Sequence, residues 1–343
     1  MESKLNNIYK NKNIYNNFVE SIGNTPLIKL RGPSEETGCN IFGKAEFLNP
    51  GGSVKDRAAW FIIKEAESKK EINRGGIIVE GTAGNTGIGL TLIGNSRGYK
   101  TIIVMPETQT KEKIDTLKSI GSDLRLVPAK PYKHNDNYIK ISGRLAKKLK
   151  LSHTSGVIWA NQFDNLSNFK GHYLTTGQEI WNQTEGRINA FICSSGTGGT
   201  ISGVSHALKE KNKNIEIVLS DPKGSSLHNY IQLKELTSDG SSITEGIGSS
   251  RITKNFEKAK IDDSYSIEDK EALNVLYLLI KNEGLCLGTS SGINVAGAIR
   301  LGKKLGPGHT IVTILCDKSD RYYSKIFNKK FLKEKNLPIP NWL

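Results

Sequence analysis

Cysteine is scarce: the 343 residues hold four, at positions 39, 193, 286 and 316, with no Cys-x-x-Cys pair among them. A disulfide scaffold is thereby excluded. Apolar or small neighbours make all four read as buried free thiols of a reducing compartment. The six histidines are equally dispersed. No Cys/His cluster of zinc-binding spacing exists, so no metal is expected. No apolar run approaches the ~20 residues of a membrane span. The opening arm, Met1 to Phe18, is rich in Asn and Lys and lacks the apolar segment of a secretory signal. These absences predict a cytoplasmic chain without a membrane partner.

Acidic residues are outnumbered, 34 against 48 Lys and Arg, for a formal net charge of +14. The basic residues are scattered. Their densest runs, Gly143–Leu151 and Phe327–Asn336, have the spacing of solvated helix faces. No basic module interleaved with aromatics appears, so nucleic acid is not an expected partner. The charge suits solubility and attraction of anionic metabolites.

What the chain has in abundance is alternation. Short β-branched runs read as buried strands at Gly76–Gly81, Lys100–Pro106, Asp123–Ala129, Gly156–Asn161, Ala190–Gly196, Ile215–Pro222 and His309–Asp317. Helical periods lie at Val54–Lys69, Thr86–Ser96, Thr110–Ile120, Phe169–Asn182, Ile201–Glu210, Lys270–Asn282 and Gly292–Leu305. This order predicts an α/β fold with an open, mostly parallel sheet covered by helices on both faces. Ligands of such folds sit at the carboxyl ends of the strands.

Four loops there carry chemistry. In "NPGGSVKDR", Asn49–Arg57, Ser53 is a candidate N-cap with Asp56 three residues on, which places Lys55 in the first helical turn. The helix dipole, Arg57 and burial would all disfavour the ammonium there and favour a nucleophilic amine, as a Schiff-base lysine requires. In "EGTAGNTGIGL", Glu80–Leu90, glycines let backbone approach a ligand, and N–H groups at a helix start suit a carboxylate or phosphate. Asn85 could donate to a ring hydroxyl. In "SSGTGGTISG", Ser194–Gly203, the composition is that of a cradle for a single phosphate. It lacks the Gly-Lys-Ser/Thr of a Walker loop and the third glycine of a dinucleotide fingerprint. In "LGTSSGINVAGA", Leu287–Ala298, two serines open a helix.

Together these motifs resemble the fold-type II pyridoxal-phosphate enzymes, and within them the cysteine synthase (O-acetylserine sulfhydrylase) and cystathionine β-synthase family. "SIGNTPLIKL" (Ser21–Leu30) and "ANQFDNLSNFKGHYLTTGQEIW" (Ala160–Trp181) extend the similarity from about Val19 onward. The resemblance implies two open, twisted, mostly parallel sheets in a tryptophan synthase β-like fold. A small mobile substrate-binding lobe would span 48–165, and a larger cofactor-binding lobe 1–47 and 166–343. It implies pyridoxal 5′-phosphate joined to Lys55 as an imine. Asn85 would meet the 3′-oxygen, and Ser290 the ring nitrogen. Gly196, Thr197, Gly198, Gly199 and Thr200 would hold the phosphate. Thr82, Ala83, Gly84, Thr86 and Gln162 would receive the substrate carboxylate, with Gly246 in the facing loop "EGIG".

The implied reaction is β-replacement on an activated L-serine: O-acetyl-L-serine and sulfide giving L-cysteine and acetate. A serine at the ring nitrogen leaves that nitrogen largely unprotonated, which suits elimination at the β-carbon over transamination. O-phosphoserine as donor and homocysteine as nucleophile are the alternatives. A homodimer is implied, and so is a possible role in docking a serine acetyltransferase tail. Three departures from the family pattern stand out. Ala83 replaces a hydroxyl residue. "CDKSDRY", Cys316–Tyr322, brings Asp317 near the cofactor ring. Arg251 lies just past the substrate loop, solvent-facing unless it turns inward toward a phosphate.

Overall fold

The computed structural model describes residues 14–343. Most of the opening arm therefore lies outside the described residues. The strands are β1 (Leu27–Lys29), β2 (Asn40–Ala45), β3 (Ile77–Gly81), β4 (Lys100–Pro106), β5 (Asp123–Val127), β6 (Val157–Trp159), β7 (Ala190–Cys193), β8 (Glu216–Pro222), β9 (Asp263–Ile267) and β10 (Thr310–Leu315). They form two sheets, a six-stranded one ordered β1-β2-β10-β7-β8-β9 and a four-stranded one ordered β5-β4-β3-β6. Only β1 runs antiparallel to its neighbour.

Period-two alternation builds the larger core. Ile192, Val218 and Ile311 point into one cluster, against the helices Asp269–Glu283 and Thr289–Leu305. Their chain neighbours Phe191, Ile217 and Val312 point into the other, against Gly199–Lys211. Each such side chain, removed from water, contributes about 1.5–3 kcal/mol. A parallel sheet covered on both faces thus follows from runs apolar at every position. The smaller sheet is covered by Lys55–Ser68 and Asn85–Arg97 on one side and by Tyr138–Lys150 on the other.

The structure departs from the sequence expectations at identifiable places. β2 and β9 were not apparent, because β2 carries Asn40, Gly43 and Lys44 and β9 reads "DSYSI". Lys44 is buried and pairs with Glu179 at 2.6 Å, so a central strand tolerates it. β5 is an edge strand with exposed side chains, not a buried one. The single helix expected over Phe169–Asn182 is two, Ser167–Leu174 and Thr176–Gln183, broken where Thr175 leaves helical geometry (φ −122°, ψ −76°). Cys286 is exposed, not buried; the other three cysteines are buried as expected.

Candidate active site

The loops after β3, β6, β7 and β10 surround a cavity of about 230 Å³, and a recess of about 20 Å³ adjoins it. Lys55, Gly196, Thr197 and Cys316 border both spaces. Thr82, Ala83, Gly84, Asn85, Thr86, Gln162, Gly246 and Ser290 line the cavity, while Gly198 and Thr200 line the recess. Of the cofactor- and substrate-binding residues that the resemblance implies, Gly199 alone lines neither. It opens a helix and is pressed against Asn168.

Lys55 begins its helix, but the expected capping box is absent. The cap residue is Val54, and the Ser53 hydroxyl accepts from Lys55 N at 3.2 Å. Asp56 turns the other way and accepts from Gly51 N at 2.6 Å. Burial pushes its carboxyl up to about 7, against the opposing Gly51 N–H bond. Arg57 is not a second cation beside Lys55. It is buried between Glu46, at 2.8 Å, and Glu179, at 2.6 Å. Among the described residues no carboxylate pairs with Lys55, which is half-buried and faces both the cavity and the recess.

The turn from β7 into the helix Gly199–Lys211 borders the recess. The first-turn N–H groups of a helix lack intrahelical partners and favour an anion. The Ser195 hydroxyl borders the same recess, buried and without a partner. Two side chains brace the turn from behind: Asn168 Nδ2 donates to Thr197 Oγ1 at 2.9 Å, and His172 Nε2 lies 3.2 Å from Thr200 Oγ1. Burial, then the nearby Arg57 cation, push the His172 imidazole down to about 3, so it stays neutral. An orphaned hydroxyl, a helix start and an amine without a carboxylate partner among the described residues, all at one recess, fit a phosphorylated aldehyde such as pyridoxal phosphate.

The loop after β3 supplies the opposite wall. The Thr82 hydroxyl accepts from Gly84 N at 3.1 Å, and Thr86 Oγ1 donates to Gln162 Oε1 at 2.5 Å. Beneath them Glu80 is buried. Burial raises its carboxyl to about 8, against hydrogen bonds from Gln162 and Asn161. The folded state therefore holds a proton that the unfolded state releases above its ordinary value of 4.5. Stability should fall as pH rises through that window, by up to about 1.4 kcal/mol per unit. Glu80→Gln should remove this term. Its melting temperature relative to wild type should climb between pH 5 and pH 8; a constant offset would contradict a protonated Glu80.

Asn85 is held at both ends. Its amide nitrogen donates to Asp317 Oδ2 at 2.6 Å, and its carbonyl accepts from Arg321 Nη1 at 2.6 Å. Tyr322 also donates to Asp317 Oδ2. This leaves the second amide N–H of Asn85 without an acceptor among the described residues. Arg251 neither lines the cavity nor stands free in solvent. Asp164 accepts from it at 3.0 and 3.1 Å, and it stacks 4.3 Å from the Tyr132 ring. The sequence reading missed Lys113, Tyr138, Asn168, His172, Arg321 and the Glu245 carboxylate. Only Asn168 and His172 carried a signal: they are four apart on one helix face.

Comparison with known proteins gives the family. The family model described as "Pyridoxal-phosphate dependent enzyme" matches residues 19–317. Cysteine synthase 1 of Neurospora crassa is 47% identical over 336 residues, 96% of this chain and 88% of that protein. A Dictyostelium discoideum cysteine synthase is 41% identical, covering 95% of this chain and 88% of its own. The crystal structure of an O-acetylserine dependent cystathionine beta-synthase from Helicobacter pylori superposes with a TM-score of 0.80. It is 32% identical and covers 91% of this chain and 98% of its own. The chain belongs to the family of pyridoxal-phosphate dependent enzymes.

Proposed function

We propose that the protein is a cysteine synthase, converting O-acetyl-L-serine and sulfide to L-cysteine and acetate. One observation carries the reading: Lys55, without a carboxylate partner among the described residues, stands where a cavity lined by the carboxylate-type loop meets a recess lined by the phosphate-type turn. Pyridoxal phosphate, when bound, supplies the electron sink that labilises the α-proton and lets the β-substituent leave. Lys55 Nζ carries the cofactor, takes the α-proton and returns it. Gly196, Thr197, Gly198 and Thr200 hold the phosphate, with Gly199 as the helix start behind them. Ser290 meets the ring nitrogen and Asn85 the ring oxygen. The backbone of Thr82 to Thr86, with Gln162, receives the donor carboxylate. Ala83 offers no hydroxyl there, so N–H groups carry more of that contact. Closure of the 48–165 lobe on the rest of the chain excludes water from the reacting carbon. The enzyme acts as a cytoplasmic homodimer, and serine acetyltransferase is a candidate partner for the same cleft.

Similarity to the Neurospora and Dictyostelium cysteine synthases favours this activity over the alternatives. Arg251, the residue proposed to select a phosphorylated donor, is committed to Asp164. The holoprotein should therefore turn over O-acetylserine with sulfide at least about tenfold faster, by kcat/KM, than O-phosphoserine with sulfide or serine with homocysteine. The measurement is product formation across that panel. A preference for homocysteine would move the assignment to a cystathionine synthase.

A further inference from the structure

A buried ion pair ties a helix packed against one cavity loop to the loop on the facing wall. Lys113, at the start of the helix Lys111–Ser119, is 2% exposed, and its ammonium lies 2.5 Å from Glu245 Oε2. The Glu245 side chain is 6% exposed, and its other oxygen lies 2.5 Å from Lys325. Burial lowers the Lys113 pKa and the facing Glu245 raises it. Surface salt bridges are common and weak, but this one is desolvated and borders the reaction space.

The lysine stem is as informative as its charge. Gly84 has φ +140°, and a Cβ there would come within 2.7 Å of Lys113 Cδ. The stem therefore lies directly against the loop assigned to the donor carboxylate. The Gln109 side chain offers a second tie: with its amide turned to place nitrogen toward the neighbouring acceptors, it donates to Ala83 O at 3.1 Å and to Glu245 Oε2 at 3.2 Å. On the far side Gly246 O touches the phosphate turn; a Cβ on Gly196 would come within 2.1 Å of it. An unbroken path thus runs from Gly84 through Lys113 and Glu245 to Gly246 and Gly196. The Lys113 ammonium also lies 4.3 Å from the Tyr322 ring centroid, and the Tyr322 hydroxyl donates to the Asp317 that holds Asn85.

We infer that Lys113 is a positioning residue, which through Glu245 couples occupancy of the carboxylate loop (Thr82–Thr86) to ordering of the opposite loop (Glu245–Gly248). Lys113 lines the cavity but not the recess beside the phosphate-type turn. Its work is to hold two backbone segments from different sheets at the separation that a bound amino acid requires. This inference rests on the proposed amino-acid site.

The test is hydrogen–deuterium exchange on the holoenzyme, with and without saturating L-serine, together with steady-state kinetics. In wild type, L-serine should slow exchange in both loops. Lys113→Met keeps the stem and removes the charge; protection should persist at 82–86 and be lost at 245–248. Its KM for O-acetylserine should rise about tenfold, with kcat changed less than about threefold and KM for sulfide unchanged. Lys113→Arg should restore both the coupled protection and KM. Glu245→Gln should reproduce the methionine variant from the other side, which covers the case in which Lys113→Met folds poorly. Coupled protection that survives in Lys113→Met or Glu245→Gln overturns the inference while leaving the site reading intact. Absence of protection at 82–86 in wild type overturns the site reading, and the inference with it.

Discussion

Lys55→Ala is expected to lower cysteine formation by about 10³-fold or more while leaving the fold and its melting temperature close to wild type. The two halves of that result have separate causes. The catalytic loss follows from removing the one amine at the junction of the cavity and the recess, a group asked to act both as covalent anchor and as proton carrier. The structural tolerance follows from what Lys55 lacks: no carboxylate pairs with it among the described residues, and it is only half-buried. Truncation leaves no buried charge uncompensated. Borohydride reduction of the wild-type holoprotein, followed by peptide mapping, should place the cofactor adduct on Lys55. Adduct on another lysine, or an alanine variant that still forms cysteine at wild-type rate, would remove Lys55 from its role.

Much of this site was legible from local pattern, because its backbone chemistry is local. A strand that passes through small residues into a helix start leaves N–H donors that an anion can use, and both the 80–90 and 194–203 segments have that order. Lys55 was legible for the same reason, as a lysine opening a helix behind two glycines. What could not be read is the set of partners that distant segments supply. Arg57 looked like a cation beside Lys55, yet its helix turns it toward Glu46 and Glu179, the latter 122 positions away. Nothing in the sequence sets Lys113 apart; only the fold brings Glu245 to it across 132 positions. Asp317 was noticed as a polar neighbour of the ring, whereas the structure makes it the acceptor that orients Asn85. β2 escaped because Lys44 argues against a central strand unless the Glu179 partner is known. Charged residues carry little directional information in sequence, and burial assigns them their partners afterwards.

Arg57→Met should give the largest loss of stability of any single change near the site, about 3–5 kcal/mol. Arg57 is 1% exposed and satisfies two carboxylates at once, donating to Glu46 through Nε and Nη2 and to Glu179 through Nη1 and Nη2. Methionine fills much of the space of the stem but leaves Glu46 and Glu179 with Lys44 as their one remaining cationic partner, a surplus buried negative charge. The cost is that orphaned charge more than the lost pair, so Arg57→Met/Glu46→Gln should recover part of the loss. A double mutant no better than the single would argue that packing, not charge, is responsible. The pH dependence separates the two independently. Burial raises the Glu179 pKa, but the Arg57 hydrogen bonds and charge win and take it down to about 2. A depressed carboxylate stabilises the fold above its ordinary value of 4.5, and that contribution is lost as pH falls toward the folded value. The wild-type advantage over Arg57→Met should accordingly be full at pH 6 and shrink steadily between pH 5 and pH 3. Melting curves of both proteins across that range decide it: a gap that stays constant into acid would mean that Arg57 stabilises the fold by its bulk alone. Since Arg57 lies two residues beyond Lys55 on the same helix, loosening it should also lower turnover at pH values where the variant is still folded.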